Sequence, residues 1–296
     1  MSAPPTLLFC IGAAKSGTTW LYNYLYAHPD CHLRGVKELH YFDALDNGDM
    51  DRQMIDNLRR IEGARTRAEQ STETGDKLSF RALKDARDRQ AWLKVQSGGH
   101  ENAQAYLGYL MGGRKDERVI ADITPSYAML SQARFATMDR LLPDVRFLFL
   151  MRDPLQRLWS HVRMVAARRR AGTDPNKAAA QVLKVTLAGE QQHIAARSDY
   201  AATITNLTAV VPATRRLIMT FEEMLAGGIT RICAFLGIAD RPAQTDKVSH
   251  RGKDALLSAA DRLKALAWLR PQYEFVTEFL GGLPAGWDPD GLGART

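Results

Sequence analysis

The sequence predicts an α/β protein in which helices flank a parallel sheet and one connection carries a helical insertion. Mostly apolar runs of strand length recur at 7–11, 119–122, 146–151 and 216–220. Such runs are typical of strands that are covered on both faces. Helical patterns separate them, and this alternation predicts parallel pairing. The chain has 296 residues, 45% of them hydrophobic, so we expect a single domain over residues 1–296.

The first predicted strand, Leu7–Ile11, runs directly into a short loop and a helix that reaches about His28. Backbone N–H groups at a helix N-terminus carry the positive end of the helix dipole and favour a bound phosphate or sulfate. Gly12 and Gly17 let the backbone approach such an anion, and Lys15 adds a positive charge. The hydroxyl donors of the loop belong to Ser16, Thr18 and Thr19.

This loop differs from a Walker A phosphate loop in the order of its residues. The Walker A motif, G-x-x-x-x-G-K-[ST], has its Lys after the second Gly and a hydroxyl that binds Mg²⁺. In this chain Lys15 stands two residues before Gly17. The sequence therefore predicts a cradle for an anion that needs no metal.

The strand at 146–151 ends at Arg152-Asp153-Pro154, which places Arg152 beyond a strand end and Ser160 about two helical turns further along. Pro154 suits the first position of a helix, which apolar residues at helical spacing extend to about Arg170. The simpler alternatives are an Arg152–Asp153 ion pair at the helix start and a solvated Ser160. The residues predicted to lie off the apolar face of this helix are Arg157, Ser160, His161 and Arg163.

Both sites resemble those of sulfotransferases that use 3′-phosphoadenosine-5′-phosphosulfate (PAPS). Lys15-Ser16-Gly17-Thr18-Thr19-Trp20 resembles the family's 5′-phosphosulfate loop, and Arg152 with Ser160 eight residues later resembles its 3′-phosphate site. The resemblance implies a P-loop-NTPase-like sheet, PAPS as the donor and 3′-phosphoadenosine-5′-phosphate (PAP) as its product. Arg251-Gly252-Lys253, in the loop 244–254, is similar to the basic loop that closes over the cofactor in this family.

The segment Lys37-Glu38-Leu39-His40-Tyr41-Phe42-Asp43 resembles one in glycosaminoglycan sulfotransferases whose Glu is the general base. The resemblance makes Glu38 the expected base, with His40 and Asp43 as supporting or acceptor-orienting groups. On the leaving side, we expect Lys15 to stabilise the charge that develops on the bridging oxygen. The simpler alternative is an exposed ion pair of Glu38 with a neighbouring cation and a local hydrogen bond of His40.

The chain departs from the carbohydrate-specific branch of that family at the end of the strand 119–122. That branch carries Glu-Lys-(Ser/Thr)-Pro, whereas this chain reads Asp122-Ile123-Thr124-Pro125 and lacks the Lys. The following Ser126-Tyr127 is kept, and we expect Tyr127 to lie on the acceptor side. The acceptor is predicted only as a hydroxyl-bearing molecule, a carbohydrate or small molecule, or an amine.

A polar helical insertion is predicted over about 49–113 and is expected to lie beside the site, where it could shape the acceptor pocket. It is too helical and too charged to supply the central sheet. A loop is expected over 30–43. The other predicted helices are 131–142, 176–189, 198–211 and 229–236.

Composition sets limits on partners and compartment. A formal charge of +7 and a pI near 9.4 suit anionic ligands without distinguishing among them. Three widely spaced cysteines without a C-x-x-C pattern indicate neither a disulfide framework nor a zinc site. We find no signal peptide pattern and no apolar span of membrane length, so we expect a cytoplasmic protein without an integral membrane segment. The oligomeric state stays open.

Two other functions remain as alternatives. A metal-dependent kinase of the P-loop type, acting on a nucleotide or small molecule, would also combine a strand, a glycine-containing loop and a helix. A nucleic-acid-binding module would account for the basic charge, but no nucleic-acid motif or pattern of stacking aromatic residues accompanies it. We therefore expect no nucleic-acid partner.

Overall fold

A computed structural model of the chain describes residues 4–72, 77–169, 174–242 and 255–290. These residues form a five-stranded sheet in the order β2-β3-β1-β4-β5, with every neighbouring pair parallel. The predicted α/β fold with a parallel sheet is confirmed. The strands are β1 (Thr6–Gly12), β2 (Cys31–His32), β3 (Val119–Ile123), β4 (Val145–Met151) and β5 (Arg216–Thr220).

Helices flank this sheet, and most of them follow the predicted segments. The first seven are α1 (Thr18–Ala27), α2 (Tyr41–Asn47), α3 (Met50–Thr72), α4 (Lys77–Gln96), α5 (Ala103–Met111), α6 (Gln132–Met138) and α7 (Pro154–Arg169). The others are α8 (Pro175–Leu187), α9 (Gln192–Ala196), α10 (Tyr200–Val210), α11 (Phe221–Glu223), α12 (Ile229–Leu236) and α13 (Ala259–Leu280). A 3₁₀ turn, Pro125–Met129, follows β3. Over the described ranges, no helix is both long enough and apolar enough to cross a bilayer.

Strand β2 lies within a segment that the sequence predicts as a loop. It has two residues, Cys31 and His32, which pair with Val119 and Ile120 at the edge of the sheet. Two residues are too few to show the alternation by which a strand is predicted. The edge strand therefore becomes visible only from its pairing with β3.

The central strand β1 is buried on both faces, which explains its continuous apolar run. Leu7 and Phe9 pack into one core cluster, while Leu8 and Cys10 pack into the other, and all four are fully buried. Helices α1 and α12 cover the second face, and α7, α10 and α13 cover the first. Removal of this apolar surface from water is the main contribution to the stability of such a sheet.

The insertion predicted over about 49–113 is helical, as expected, and consists of α3, α4 and α5. Trp92 of α4 and Tyr106 of α5 pack against Tyr41, with ring centroids 5.8 and 4.8 Å apart respectively. Tyr41 directly follows His40 in the chain. The insertion is therefore anchored on the segment that carries the predicted base.

The C-terminal helix α13 lies beyond the predicted elements and fixes the start of α7. The Tyr273 hydroxyl donates to Asp153 Oδ2 at 2.8 Å, and the Gln156 amide donates to Asp153 Oδ1 at 2.8 Å. The Asp153 carboxylate thus caps the N-terminus of α7, where a negative charge is favourable. The Arg152 guanidinium turns instead to the Lys15 carbonyl and Gln156, and in the described part of the chain it forms no ion pair with Asp153, so that alternative for Arg152 is wrong.

At Gly17 the fold leaves no room for a side chain. It precedes α1 with a φ of 81°, and a Cβ there would overlap the ring of Phe221. We expect Gly17→Ala to lower the free energy of unfolding by more than the ~1–2 kcal/mol that a left-handed conformation alone costs. Chemical denaturation followed by circular dichroism measures this difference.

Gly281 provides the matched control for Gly17. It has a φ of 73°, and a Cβ there would have no neighbour within 4 Å. Gly281→Ala therefore carries the backbone cost without the overlap. Equal losses of stability in the two variants would contradict a close contact between Gly17 and Phe221.

Candidate active site

Three segments of the predicted site meet at the carboxyl edge of the sheet. Strand β1 leads into the loop around Lys15, β3 leads into Thr124 and the 3₁₀ turn, and β4 ends directly before Arg152. Because β3, β1 and β4 are neighbours in the sheet, the segments that follow them lie side by side. This is the edge at which open α/β sheets bind ligands.

The loop after β1 presents donors without partners. Lys15 and Gly17 both have positive φ, 73° and 81°, so the chain turns sharply before α1. The Ser16 hydroxyl oxygen is buried and has no hydrogen-bond partner in the described part of the chain. The first amides of α1 also lack partners within the helix. A buried donor without a partner indicates a bound group, and the oxygens of an anion fit these donors.

Arg152 lies against this loop, as the proposed pair of anion sites requires. Its Nη1 donates to the carbonyl oxygen of Lys15 at 3.4 Å, and its Nη2 donates to Gln156 Oε1 at 3.0 Å. Its guanidinium carbon lies 5.5 Å from the centroid of the Phe221 ring. Its Nε is buried and has no partner among the described residues. The structure thus brings Lys15 and Arg152 together on one side of the sheet edge.

Cations surround Lys15 and give this region a positive potential. Burial lowers the pKa of Lys15, and the nearby charge of Arg168 lowers it further. Arg152 and Arg163 act in the same direction, whereas Glu38 opposes them. The Nε of Arg163, like that of Arg152, is buried without a partner in the described ranges. An anion that binds here would offset this repulsion among the cations.

Arg157 adds a fully buried cation to α7. The prediction that Arg157 and His161 lie off the buried face is wrong, since they are 0% and 4% exposed. Arg157 Nη2 donates to Ser198 Oγ, but its Nε and Nη1 have no partner in the described structure. Burial lowers the pKa of Arg157 to about 10. Burial and then Arg157 lower the pKa of His161 to about 2, so His161 is neutral.

Glu38 and His40 project from a strained segment between β2 and α2. Both have positive φ, 62° and 52°, while Leu39 and Tyr41 between and after them are buried. The Glu38 carboxylate accepts a hydrogen bond from Lys37 Nζ at 2.5 Å and lies 3.9 Å from His40 Nε2. The ion pair with Lys37 that formed the simpler alternative therefore exists. It leaves the Glu38 side chain 43% exposed.

The charges of this segment act on one another. Burial tends to lower the pKa of His40, but the hydrogen bond and charge of Asp43 outweigh it, and the net pKa lies above the ordinary value. His40 Nδ1 and Asp43 Oδ2 are 2.8 Å apart. Burial tends to raise the pKa of Glu38, but Lys37 and His40 outweigh it, and the net pKa lies below the ordinary value. Glu38 is thus an ionised acceptor at neutral pH.

A buried carboxylate, Asp122, holds this segment in place. Asp122 Oδ1 accepts from the Thr124 hydroxyl at 2.6 Å, and Asp122 Oδ2 accepts from the Tyr127 hydroxyl at 2.8 Å. Those two hydroxyls in turn accept from the backbone amides of Leu39, at 2.9 Å, and Tyr41, at 3.1 Å. The amides on both sides of His40 are therefore fixed to the end of β3.

This network corrects the prediction for Tyr127. Tyr127 is fully buried, so its side chain has no exposed surface with which to contact an acceptor. Its hydroxyl connects Asp122 to the Tyr41 amide, so Tyr127 is a positioning residue for the Glu38 segment. Sequence reasoning missed Asp122 in this role, although its signal was present: a carboxylate inside an otherwise apolar strand needs buried donors.

The remaining predicted residues differ in their exposure. Trp20 and Thr18 are 8% and 4% exposed, and the Trp20 ring stacks on Tyr24 with centroids 5.8 Å apart. Thr19 and Ser160 are half-buried. The predicted basic segment Arg251-Gly252-Lys253 lies outside the described residues. Among the described residues, no three His, Cys, Asp or Glu side chains cluster closely enough to hold a metal ion.

The fold places the protein in the P-loop-like α/β class, and known structures share that fold. A crystal structure of a sulfotransferase from Alicyclobacillus acidocaldarius matches 96% of this chain and 99% of that chain, with a TM-score of 0.62 and 19% identity. The sulfotransferase domain from the curacin biosynthetic pathway matches 96% of this chain and 100% of that domain, with a TM-score of 0.50 and 15% identity. The alignment with the sulfotransferase domain from the Synechococcus PCC 7002 olefin synthase covers 92% of this chain and 96% of that domain, with a TM-score of 0.49 and 19% identity.

The sequence itself identifies the family. The model of the sulfotransferase family matches residues 5–242, which include all five strands and the segments that form the site. The chain belongs to the sulfotransferase family, and the expected family membership is confirmed. No curated protein gives a significant match to the chain.

Tyr127 and Tyr106 allow the role of the Asp122 network to be tested. Both hydroxyls donate to Asp122 Oδ2, but only that of Tyr127 also accepts from the Tyr41 amide. We expect Tyr127→Phe and Tyr106→Phe each to lower the free energy of unfolding by ~1–3 kcal/mol. We expect sulfuryl transfer to fall strongly only in Tyr127→Phe, measured as turnover per folded protein. An equal loss of turnover in Tyr106→Phe would contradict the positioning role.

The raised pKa of His40 predicts a pH-dependent contribution to stability. That contribution is fully present below the unfolded pKa of about 6.5 and is lost as the pH rises through the higher folded pKa. His40→Asn removes the titration with a residue that tolerates positive φ. We expect urea unfolding to show wild type losing stability relative to His40→Asn as the pH rises from the unfolded pKa of about 6.5 through the higher folded pKa. A difference that stays constant or grows with pH would count against the His40–Asp43 interaction.

Proposed function

We propose that this sulfotransferase moves a sulfuryl group from PAPS to a hydroxyl acceptor, with Glu38 as the general base. The observation that carries the proposal is the contact between Arg152 and the backbone of Lys15. It brings the two loops that resemble the 5′ and 3′ phosphate sites of PAPS-dependent enzymes close enough to bind one donor molecule. An amine acceptor would use the same chemistry.

The residues of the loops fit the groups of such a donor. Lys15, Gly17, the unpartnered Ser16 hydroxyl and the Thr19 hydroxyl would bind the 5′-phosphosulfate at the start of α1. Arg152, whose buried Nε lacks a partner among the described residues, and Ser160 on α7 would bind the 3′-phosphate. The nearly buried Thr18 and Trp20 would support the loop from its buried side. Arg251, Gly252 and Lys253 remain predicted 3′-phosphate ligands.

The chemistry needs a proton acceptor and a positive charge on opposite sides of the transferred group. PAPS, when bound, supplies an activated sulfuryl group whose bond to the phosphate oxygen breaks as the bond to the acceptor oxygen forms. Glu38, ionised and more than one-third exposed, would take the proton of the acceptor hydroxyl. Lys15 would stabilise the charge on the departing phosphate oxygen. His40 would hold the Glu38 carboxylate, from which its Nε2 lies 3.9 Å away.

Calorimetric titration with PAP, with and without Mg²⁺, tests the donor site. We expect tight binding without Mg²⁺, and a loss of ~2–4 kcal/mol of binding free energy in Lys15→Ala and Arg152→Ala. Arg52→Ala is the control, because Arg52 is exposed and pairs with Asp49 in the described part of the chain. We expect Glu38→Gln to keep PAP affinity and to lose most turnover with labelled PAPS. Binding of ATP with Mg²⁺ but not of PAP would favour a kinase instead, and unchanged turnover would reject Glu38 as the base.

A further inference from the structure

A groove of about 660 Å³ opens beside Asp43, at the same edge of the sheet as the site. Its walls come from α2, the 3₁₀ turn after β3, and α6, with one residue that precedes α5. The polar side chains that matter for its chemistry are Asp43, Asp46, Glu101, Ser126 and Arg134. Asp43 contacts His40, and His40 Nε2 lies 3.9 Å from the carboxylate of Glu38, so one end of the groove is two side chains from the proposed base.

Arg134, a cation that lines the groove, already forms ion pairs with two carboxylates. Arg134 Nη1 donates to both oxygens of Glu101, at 2.8 and 2.7 Å, and its Nε donates to Asp46 at 3.0 Å. Its guanidinium also lies over the Phe42 ring, 5.6 Å from the centroid. The Asp46 and Glu101 contacts raise the pKa of Arg134. An anionic ligand would have to displace one of two carboxylates to reach it.

One carboxylate oxygen in the groove lacks a hydrogen-bond donor. Asp43 is 9% exposed, and its Oδ1 is buried with no hydrogen-bond partner among the described residues, while its Oδ2 contacts His40. A buried carboxylate oxygen without a partner needs an O–H or N–H group. A ligand that carries only acceptor oxygens at this point, such as a carboxylate or sulfate, cannot supply one.

The charge of the groove agrees with this requirement. Asp43, Asp46 and Glu101 outnumber Arg134, so the lining is formally negative. Two groups outside the lining act on Asp43: His40, which contacts it, and the guanidinium of Arg197. Arg197 Nη2 donates to Ser126 Oγ at 3.0 Å and its Nη1 donates to the His193 carbonyl at 2.9 Å, and since both acceptors are neutral, Arg197 keeps its positive charge at the Asp43 end of the groove. The cation cluster around Lys15 is on the donor side, so the two sides of the site differ in charge.

We propose that this groove binds the acceptor, and that the acceptor is a neutral or cationic polyhydroxyl compound of the sugar or amino-sugar class. Its hydroxyl or ammonium groups donate to Asp43 Oδ1 and to the carboxylates of Asp46 and Glu101. Acidic glycans would bind more weakly, although the Lys37–Asp43 segment resembles enzymes that act on them. The role of the groove as an acceptor site rests on the proposed sulfuryl transfer. Its test does not, because the test measures binding.

Three probes with the same pyranose ring test the proposal: methyl β-glucoside, methyl β-glucosaminide, in which an ammonium group replaces the 2-hydroxyl, and methyl β-glucuronide, in which a carboxylate replaces the C6 hydroxymethyl group. Saturation-transfer NMR on the full chain, with and without PAP, measures their dissociation constants without turnover. We expect the neutral and cationic probes to bind at least about tenfold more tightly than the glucuronide. Equal or tighter binding of the glucuronide, or no binding of any probe, would overturn the proposal.

Two groove variants and one control connect the preference to named residues. Glu101→Gln and Asp46→Asn each remove a charge and release donors of Arg134, so we expect the preference against the glucuronide to shrink to within about threefold. Asp56→Asn removes a carboxylate that is more exposed than Asp46 or Glu101, pairs with Arg59 on α3 and does not line the groove, and it should leave the preference unchanged. An unchanged preference in both groove variants would overturn the proposal.

The PAP titration separates a failure of this inference from a failure of the proposed function. PAP binding with no selectivity among the probes rejects the acceptor class alone. Selective binding of the neutral and cationic probes without PAP binding rejects the donor and keeps the groove. Thermal melting of each variant establishes that the protein compared is folded.

Discussion

The carboxylate of Asp122 is the constraint on which the arrangement of the site depends. It lies inside β3, is almost fully buried, and accepts hydrogen bonds from the hydroxyls of Thr124, Tyr127 and Tyr106. Burial raises the pKa of Asp122, and these three donors oppose the rise. A buried carboxylate with several donors is costly to disturb. The end of the strand and the segment around His40 therefore behave as one rigid unit.

The parallel sheet connects that unit to the donor side. Strand β1 lies between β3 and β4, so the loop around Lys15 is placed between the Glu38 segment and Arg152. Negative groups lie on the β3 side, at Glu38 and Asp43, and positive groups lie on the β4 side, at Arg152. The order of the strands thus separates the carboxylates of Glu38 and Asp43 from the guanidinium of Arg152. A sulfotransferase needs both within the length of one substrate pair.

Local patterns predicted most of the fold, and packing decided the rest. The strands and the two loops follow from short apolar runs and from the order of Gly, Lys and Pro, which are properties of neighbouring residues. Tyr127 was misplaced because a motif fixes the position of a residue in the chain but not the side to which its ring turns. Arg157 was misplaced because helical spacing assigns a charged residue to solvent, whereas α9 and α10 cover that face. The two-residue β2 carries no periodic signal.

The unpaired charge of Arg157 has a thermodynamic consequence for the whole molecule. A guanidinium buried with one hydroxyl partner in the described structure weakens the folded state, and the cations around Lys15 add mutual repulsion. A small anion that binds near these cations reduces their electrostatic repulsion. Its binding shifts the folding equilibrium towards the native state. Ordinary phosphate or sulfate in a buffer would act in this way. The thermal stability of this enzyme therefore depends on the anions in its buffer as well as on its own sequence.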